Sequence, residues 1–250
     1  DTGTITITGG EGDETDGDTL ALNGLHDAST LVINTPDTDP GGNSGTVTLL
    51  DGTVVNFFNI ENIICFVPGT HIATPGGARK IETLKVGDPV LTQDNGIRRI
   101  RWIGKSTVQA KGNFAPVRFD QYVFHGATAD LVVSPQHRML FKGYEAELLF
   151  GEAEVLVPAL HLVDGASVTR ETGDTVTYIH MMFDEHEIVF AEGVATESFH
   201  PGTLGVDSLA PQARDELFSL FPHLRSDLSQ FGPSARTTLK AREAQLIRTL

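Results

Sequence analysis

The chain contains one thiol, Cys65. A lone cysteine makes neither an intramolecular disulfide nor a cysteine-rich zinc module, so it is either a small buried apolar residue or a reagent. As a reagent it has a substrate beside it. The sulfur can attack the carbonyl carbon of the Ile64–Cys65 amide through a five-membered ring, which leaves Ile64 as a thioester and Cys65 with a free amine. Tethering supplies the proximity. Every residue–cysteine bond has that proximity and survives, so a fold that uses it must add three things. One group must take the thiol proton, because the thiolate is the nucleophile and a free thiol has a pKa near ~8.5. A second must protonate the departing nitrogen. A third must stabilise the oxyanion or strain the amide.

Groups of the right type occur in two later segments. Ser134-Pro135-Gln136-His137 sets a hydroxyl and an imidazole three residues apart across a turn that proline stiffens. On its own the segment reads as an ordinary turn with an exposed histidine. His180 and His186 are six residues apart, which on one strand places them on the same side. Asp184 between them is either a base for an incoming nucleophile or part of a solvated strand end. His71 reads as structural, and His26, His125, His161, His200 and His223 have no partner in the sequence. His186-Glu187 lacks the second histidine of a His-Glu-x-x-His metal motif, so no metal and no other cofactor is called for.

The stretch that begins at the cysteine is more specific than any of these pairs. Cys65-Phe66-Val67-Pro68-Gly69-Thr70-His71-Ile72-Ala73-Thr74 runs on to Lys80-Ile81-Glu82-Thr83-Leu84-Lys85-Val86-Gly87-Asp88-Pro89-Val90-Leu91. This closely resembles the opening block of the Hedgehog/intein (Hint) family. Val133-Ser134-Pro135-Gln136-His137-Arg138 resembles the family's Thr-x-x-His block, with Ser134 in place of Thr. The segment from Tyr178 through His186 to Val194 resembles its closing strand pair. The resemblance spans 65 to about 198 and implies a flattened all-β horseshoe with the cysteine near its centre. It also implies roles. Cys65 is the nucleophile, His137 serves the nitrogen side, Ser134 holds the scissile backbone, and His180, His186 or Asp184 assists the amide or the thioester. One departure stands out: Thr196-Glu197-Ser198 occupies the place where a splicing intein ends in His-Asn. What remains is activation and cleavage on the amino side of Cys65.

These residues sit in a chain of 250 with 40% apolar and 20% charged residues, enough for a sizeable core. The formal net charge of −15 disfavours nucleic acid and anionic membrane surfaces as partners. No apolar run approaches the roughly 20 residues that span a bilayer. Residues 1–64 hold eleven acids and no Lys or Arg, a composition shift that marks a boundary at the cysteine. Within them Thr4–Thr8, Ser29–Ile33, Thr46–Leu50 and Thr53–Phe57 pattern as strands, the last two joined at Asp51-Gly52. From Cys65 onward short strands are expected at 70–74, 89–92, 99–103, 116–119, 131–133, 138–141, 154–158, 176–182 and 187–191. The tail offers two helices, with Pro211 at one start and Pro233 before the other. The organisation is thus an acidic β segment (1–64), an all-β Hint-like domain (65–205) and a short helical tail (206–250) separable from the chemistry.

Two functions compete. In the first, the chain is a single-turnover cysteine autoprotease. Its substrate is its own upstream polypeptide, and the second reactant is water, a thiol or an amine. In the second, it is a surface module that binds calcium or a partner, with the β domain as scaffold. Asp13, Asp16 and Asp18 would supply the oxygens for calcium, although the Gly/Asp cluster does not recur as a repeat and also reads as a solvated loop. Either way the composition fits a secreted or cell-surface bacterial protein, whose export signal lies elsewhere since no basic-plus-apolar leader opens the chain. Because Thr196, Glu197 and Ser198 have no side-chain amide that cyclises onto its own carbonyl, the expected outcome is no splicing and no cut between Val194 and Pro201. Intact-mass analysis that finds a fragment ending in that window, or a ligated product, refutes this assignment.

Overall fold

The computed structural model describes residues 4–8, 26–34, 43–50, 53–60, 65–201, 209 and 211–248. The candidate calcium ligands Asp13, Asp16 and Asp18 lie outside the described residues, as does Ile64. In the acidic segment, β1 (Thr4–Thr8), β2 (His26–Asn34), β3 (Asn43–Leu49) and β4 (Val54–Ile60) form a sheet in the order β1-β4-β3-β2. β3 and β4 are antiparallel with Thr48 opposite Val54, as the expected hairpin requires, and β1 adds to β4 in parallel.

From Cys65 onward the chain is mostly short strands. β5 (His71–Thr74) and β6 (Gly77–Lys80) form a hairpin, as do β7 (Pro89–Thr92) and β8 (Gly96–Arg99). The strand expected over 99–103 is two strands. β8 ends at Arg99 and β9 (Trp102–Val108) begins after Ile100 has turned its amide to the Asp88 carbonyl, so the chain changes sheet there. β10 (Val117–Phe119) and β11 (Leu131–Val133) follow, then β12 (Arg138–Lys142), a short helix α1 (Tyr144–Phe150) and β13 (Glu154–Pro158). β14 (Val168–Arg170), β15 (Val176–Met182), β16 (Ile188–Ala191) and β17 (Val194–Glu197) complete the set. The largest sheet runs β13-β12-β17-β16-β5-β6, with β7 also on β16, while β15 pairs with β9 over seven residues. The β16–β17 turn is Glu192-Gly193, both with positive φ (47° and 79°), as a two-residue hairpin demands. A Cβ on Gly193 would lie 2.5 Å from the Gly126 carbonyl oxygen, so only glycine fits.

From Tyr178 onward both faces of β15 are buried, and its side chains there are apolar or aromatic apart from His180. Ile179 and Met181 enter the main core with Phe66, Ile72, Val117, Leu131, Met139, Val157 and Val189. Tyr178 and Met182 face the other way into two smaller clusters.

The tail holds the two expected helices, α2 (Pro211–Leu220) and α3 (Ala241–Arg248), but α3 starts eight residues after Pro233. The intervening chain adds β18 (Thr237–Thr238) in parallel to β13, extending the large sheet by one edge strand. Leu239 and Ala244 then sit in the main core, and Leu239 donates its amide to the Leu156 carbonyl. The tail is therefore packed onto the domain, and its apolar residues complete the same core. No helix among the described residues is long and apolar enough to cross a membrane. Leu239→Ala is expected to cost about 2–5 kcal/mol, the range for a core leucine. Urea unfolding that shows less than about 0.5 kcal/mol of loss would mean that the tail contributes little to the core.

Candidate active site

Cys65 and Phe66 run between the end of β11 and the middle of β15. Phe66 exchanges both backbone hydrogen bonds with Ile179, at 3.0 and 2.8 Å, and bridges Val133 on its other side. Beyond Val133 the Ser134 amide donates to the Cys65 carbonyl at 3.0 Å. The Cys65 amide, half of the bond to Ile64, meets no backbone carbonyl. It donates to the Ser134 hydroxyl oxygen at 2.8 Å. Ser134 is fully buried, and the turn behind it is pinned by the His137 amide on the Ser134 carbonyl and the Leu160 amide on the Pro135 carbonyl. The proline turn thus holds a hydroxyl against the amide nitrogen of the Ile64–Cys65 bond.

The thiol is equally enclosed. Cys65 is 1% exposed and packs with Phe114 and Tyr178, whose hydroxyl donates to the Phe114 carbonyl at 2.7 Å. Burial pushes the thiol pKa well up. Its polar neighbour is His180: Sγ lies 3.1 Å from Nδ1 and 3.3 Å from Nε2, opposite the ring edge that carries both nitrogens. The period of two along β15 puts Tyr178 and His180 on the same face, one against each side of the cysteine. His180 is in turn flanked by Trp102, with centroids 5.9 Å apart, and edge-on by Phe199 at 5.1 Å.

His137 is buried against Phe66 at 4.5 Å between ring centroids. Its Nε2 lies 2.5 Å from Thr196 Oγ1, and that hydroxyl gives its own proton to the Arg138 carbonyl at 2.8 Å. The Thr196 oxygen therefore accepts, the His137 proton sits on Nε2, and Nδ1 keeps a free lone pair with no partner. Burial, with smaller contributions from the neighbouring His186 and Arg138, pushes the His137 pKa down to about 3. The ring is neutral at physiological pH.

The Hint domain family model matches residues 64–203, from one residue before the cysteine to the start of the tail. The chain belongs to the Hint domain family. Members of this family are self-processing domains. Among solved structures, the Hint domain here is similar to a bacterial intein-like domain from Clostridium thermocellum, at 15% identity over 55% of this chain and 99% of that one, with a TM-score of 0.39. It is also similar to the MchDnaB-1 intein (15% identity, 55% and 100% covered, TM-score 0.36) and to the gp41-1 intein (14%, 54% and 98%, TM-score 0.34). No curated protein matches significantly.

The remaining expected site residues of this Hint domain lie elsewhere. His186 does not share a strand with His180, since β15 ends at Met182 and the chain turns before β16. His186 Nδ1 accepts the Ala235 amide at 2.9 Å, so its proton is on Nε2, 3.0 Å from the Ser198 carbonyl and 3.2 Å from Glu197 Oε2. It ties the tail to β17 and does not reach the thiol. Asp184 is on that same turn, 70% exposed, in an ion pair with Arg101 at 3.1 Å, and so is removed from the buried chemistry. His71 pairs with Glu192, as its structural reading expected. The sequence reading placed His137 at the Cys65 nitrogen; the structure gives that nitrogen to Ser134 and turns His137 toward Thr196. Trp102 and Thr196 were not foreseen. The only signal for Trp102 was its being the single tryptophan, and Thr196 had none.

The pH dependence follows from the sign of the His137 shift. The folded state resists a proton that the unfolded chain accepts near pH 6.5, so the stability present above that pH is lost as pH falls toward about 3. His200, pushed down to about 4 mainly by burial, acts in the same direction. Each contributes a slope of at most about 1.4 kcal/mol per pH unit. His137→Gln is expected to flatten the decline between pH 6.5 and 5, as read by urea denaturation. An unchanged slope would show that His137 is not a buried neutral imidazole.

Proposed function

We propose that this Hint domain is a single-turnover autoprotease that cleaves at its own amino side and does not splice. The supporting observation is that the two ends of the reaction lie in one residue and each meets a proton carrier: Cys65 Sγ faces His180, and Cys65 N faces the Ser134 hydroxyl. His180 takes the thiol proton and the sulfur attacks the Ile64 carbonyl carbon, forming a C–S bond and an oxyanion. Collapse of that adduct breaks the C–N bond. Ser134 supplies a proton to the departing nitrogen, the His180 proton restores the hydroxyl, and the net products are the Ile64 thioester and the Cys65 amine. Water, a thiol or an amine then attacks the thioester, releases residues 1–64 and whatever precedes them, and returns the thiol. His137 holds the Ser134 turn to β17 through Thr196. With its pKa pushed down to about 3 it is neutral at physiological pH, and its one N–H is directed to Thr196 and not to the Cys65 nitrogen. Glu197 and Ser198 stand where cleavage on the carboxyl side would need an asparagine.

Incubation with dithiothreitol followed by intact-mass analysis is expected to yield a fragment beginning at Cys65. Cys65→Ala abolishes it. His180→Gln slows it by roughly 10²- to 10⁴-fold, the usual worth of a positioned acid or base. Ser134→Ala slows it less, and His71→Ala cleaves at the wild-type rate. A chain that stays intact at every thiol concentration would favour the binding-module reading instead.

A further inference from the structure

We infer that α2 and the turns that follow it as far as Phe231 form a positioning element: through Trp102 they hold the His180 imidazole against the Cys65 thiol. The inference rests on the reading of His180 as the group that takes the thiol proton. Trp102 is fully buried on β9, next to β15. In that ladder His180 faces Gly104, and Trp102 is two residues before Gly104, on the same face. The indole folds across the space that a side chain at 104 would fill. A Cβ there would lie 2.3 Å from Cη2 and Cζ2 of Trp102. The glycine is thus a slot that lets the ring reach His180, not a turn residue.

What keeps the ring in that slot is the tail. Trp102, Met182 and Phe199 form one cluster with Leu209, Ala213, Leu217, Phe221, Leu224 and Phe231. α2 packs on β9, and Leu217 of α2 is fully buried. Phe199, 5.6 Å from the indole, packs edge-on against His180 beside Trp102, so the three rings form one triangle. The imidazole offers both nitrogens to the sulfur at nearly equal distance, so neither Sγ contact fixes the ring by itself. Trp102 and Phe199 restrict its rotation, and the tail holds both rings in place. Trp102 and Leu217 are positioning residues that touch neither the sulfur nor the scissile bond.

Trp102 is the only tryptophan, so fluorescence reports on this ring alone. Gly104→Ala and Leu217→Ala attack the brace from opposite sides. Leu239→Ala, which loosens the tail where it joins the main core, controls for lost stability. The first two are expected to shift the Trp102 emission, change the tautomer ratio read from the His180 ring-nitrogen NMR signals, and slow thiol-induced cleavage roughly 10- to 100-fold, the cost of about an ångström of misplacement. Leu239→Ala leaves the His180 signals and the rate as in the wild type. Wild-type cleavage in folded Gly104→Ala and Leu217→Ala proteins, or His180 signals that do not move, would overturn the brace while a slow His180→Gln kept the underlying assignment. Wild-type cleavage in His180→Gln would overturn both.

Discussion

In the proposed reaction Cys65 carries both the nucleophile and the leaving nitrogen of one bond, and the fold takes both out of water. A buried amide N–H without a partner costs about 1–3 kcal/mol, and the strands on either side of Cys65 supply no carbonyl for it. Among the described residues the Ser134 hydroxyl is its partner. The thiol has the same difficulty in another form: burial raises its pKa, so a base must be built into the same dry space. Those two needs set the geometry around them. The end of β11 must meet the cysteine from one side and the middle of β15 from the other, and the Phe66–Ile179 and Phe66–Val133 contacts hold both at once.

The register of the neighbouring strands depends on a second buried set of polar groups. Glu197 is fully buried and accepts the Arg138 amide at 2.8 Å. The Arg138 guanidinium lies 3.8 Å from its other oxygen and the His186 Nε2 3.2 Å. A buried ion pair of such loose geometry adds little net stability. Its effect is on register. With Glu197 tied to Arg138, Met139 faces Thr196, and the Thr196 hydroxyl comes to His137. The far side of His186 accepts the Ala235 amide, which starts the tail on its path to β18. Sheet register, the Ser134 turn and the docking of the tail are therefore coupled through one cluster. Loss of either charged partner would leave the other buried alone, a larger cost than the pair ever returns.

Local chemistry was legible in the sequence, and so were elements whose pattern is complete within themselves. The strands at 131–133, 154–158 and 176–182 lie where alternation and apolar runs place them. Ser134 was legible because a hydroxyl beside a stiff turn has few other uses. What could not be read depends on partners distant in the chain. β18 is two threonines with no pattern of their own, and they form a strand only because β13 presents an open edge. His186 and His180 look equivalent by spacing, yet the turn after Met182 separates them. Trp102 falls within a strand like any aromatic residue. Its bearing on His180 arises from Gly104, whose missing side chain is visible as a glycine but not as a slot.

In the proposed reaction, the same dryness that makes the thiol hard to ionise governs what happens after the thiol reacts. Proton transfer from sulfur to imidazole creates an ion pair, which is disfavoured in a low dielectric as separate charges and favoured as a contact pair. The 3.1 Å separation of Cys65 and His180 is what tips that balance, so the rate is sensitive to the aromatic walls that fix the ring. Once the thioester has formed, the walls that excluded water from the thiol exclude it from the acyl carbon as well. Hydrolysis in that reaction is then slow, and release of the upstream segment falls to a small nucleophile that reaches the acyl carbon. A single-turnover domain tolerates that delay, because its product is made once and no second substrate waits for the site.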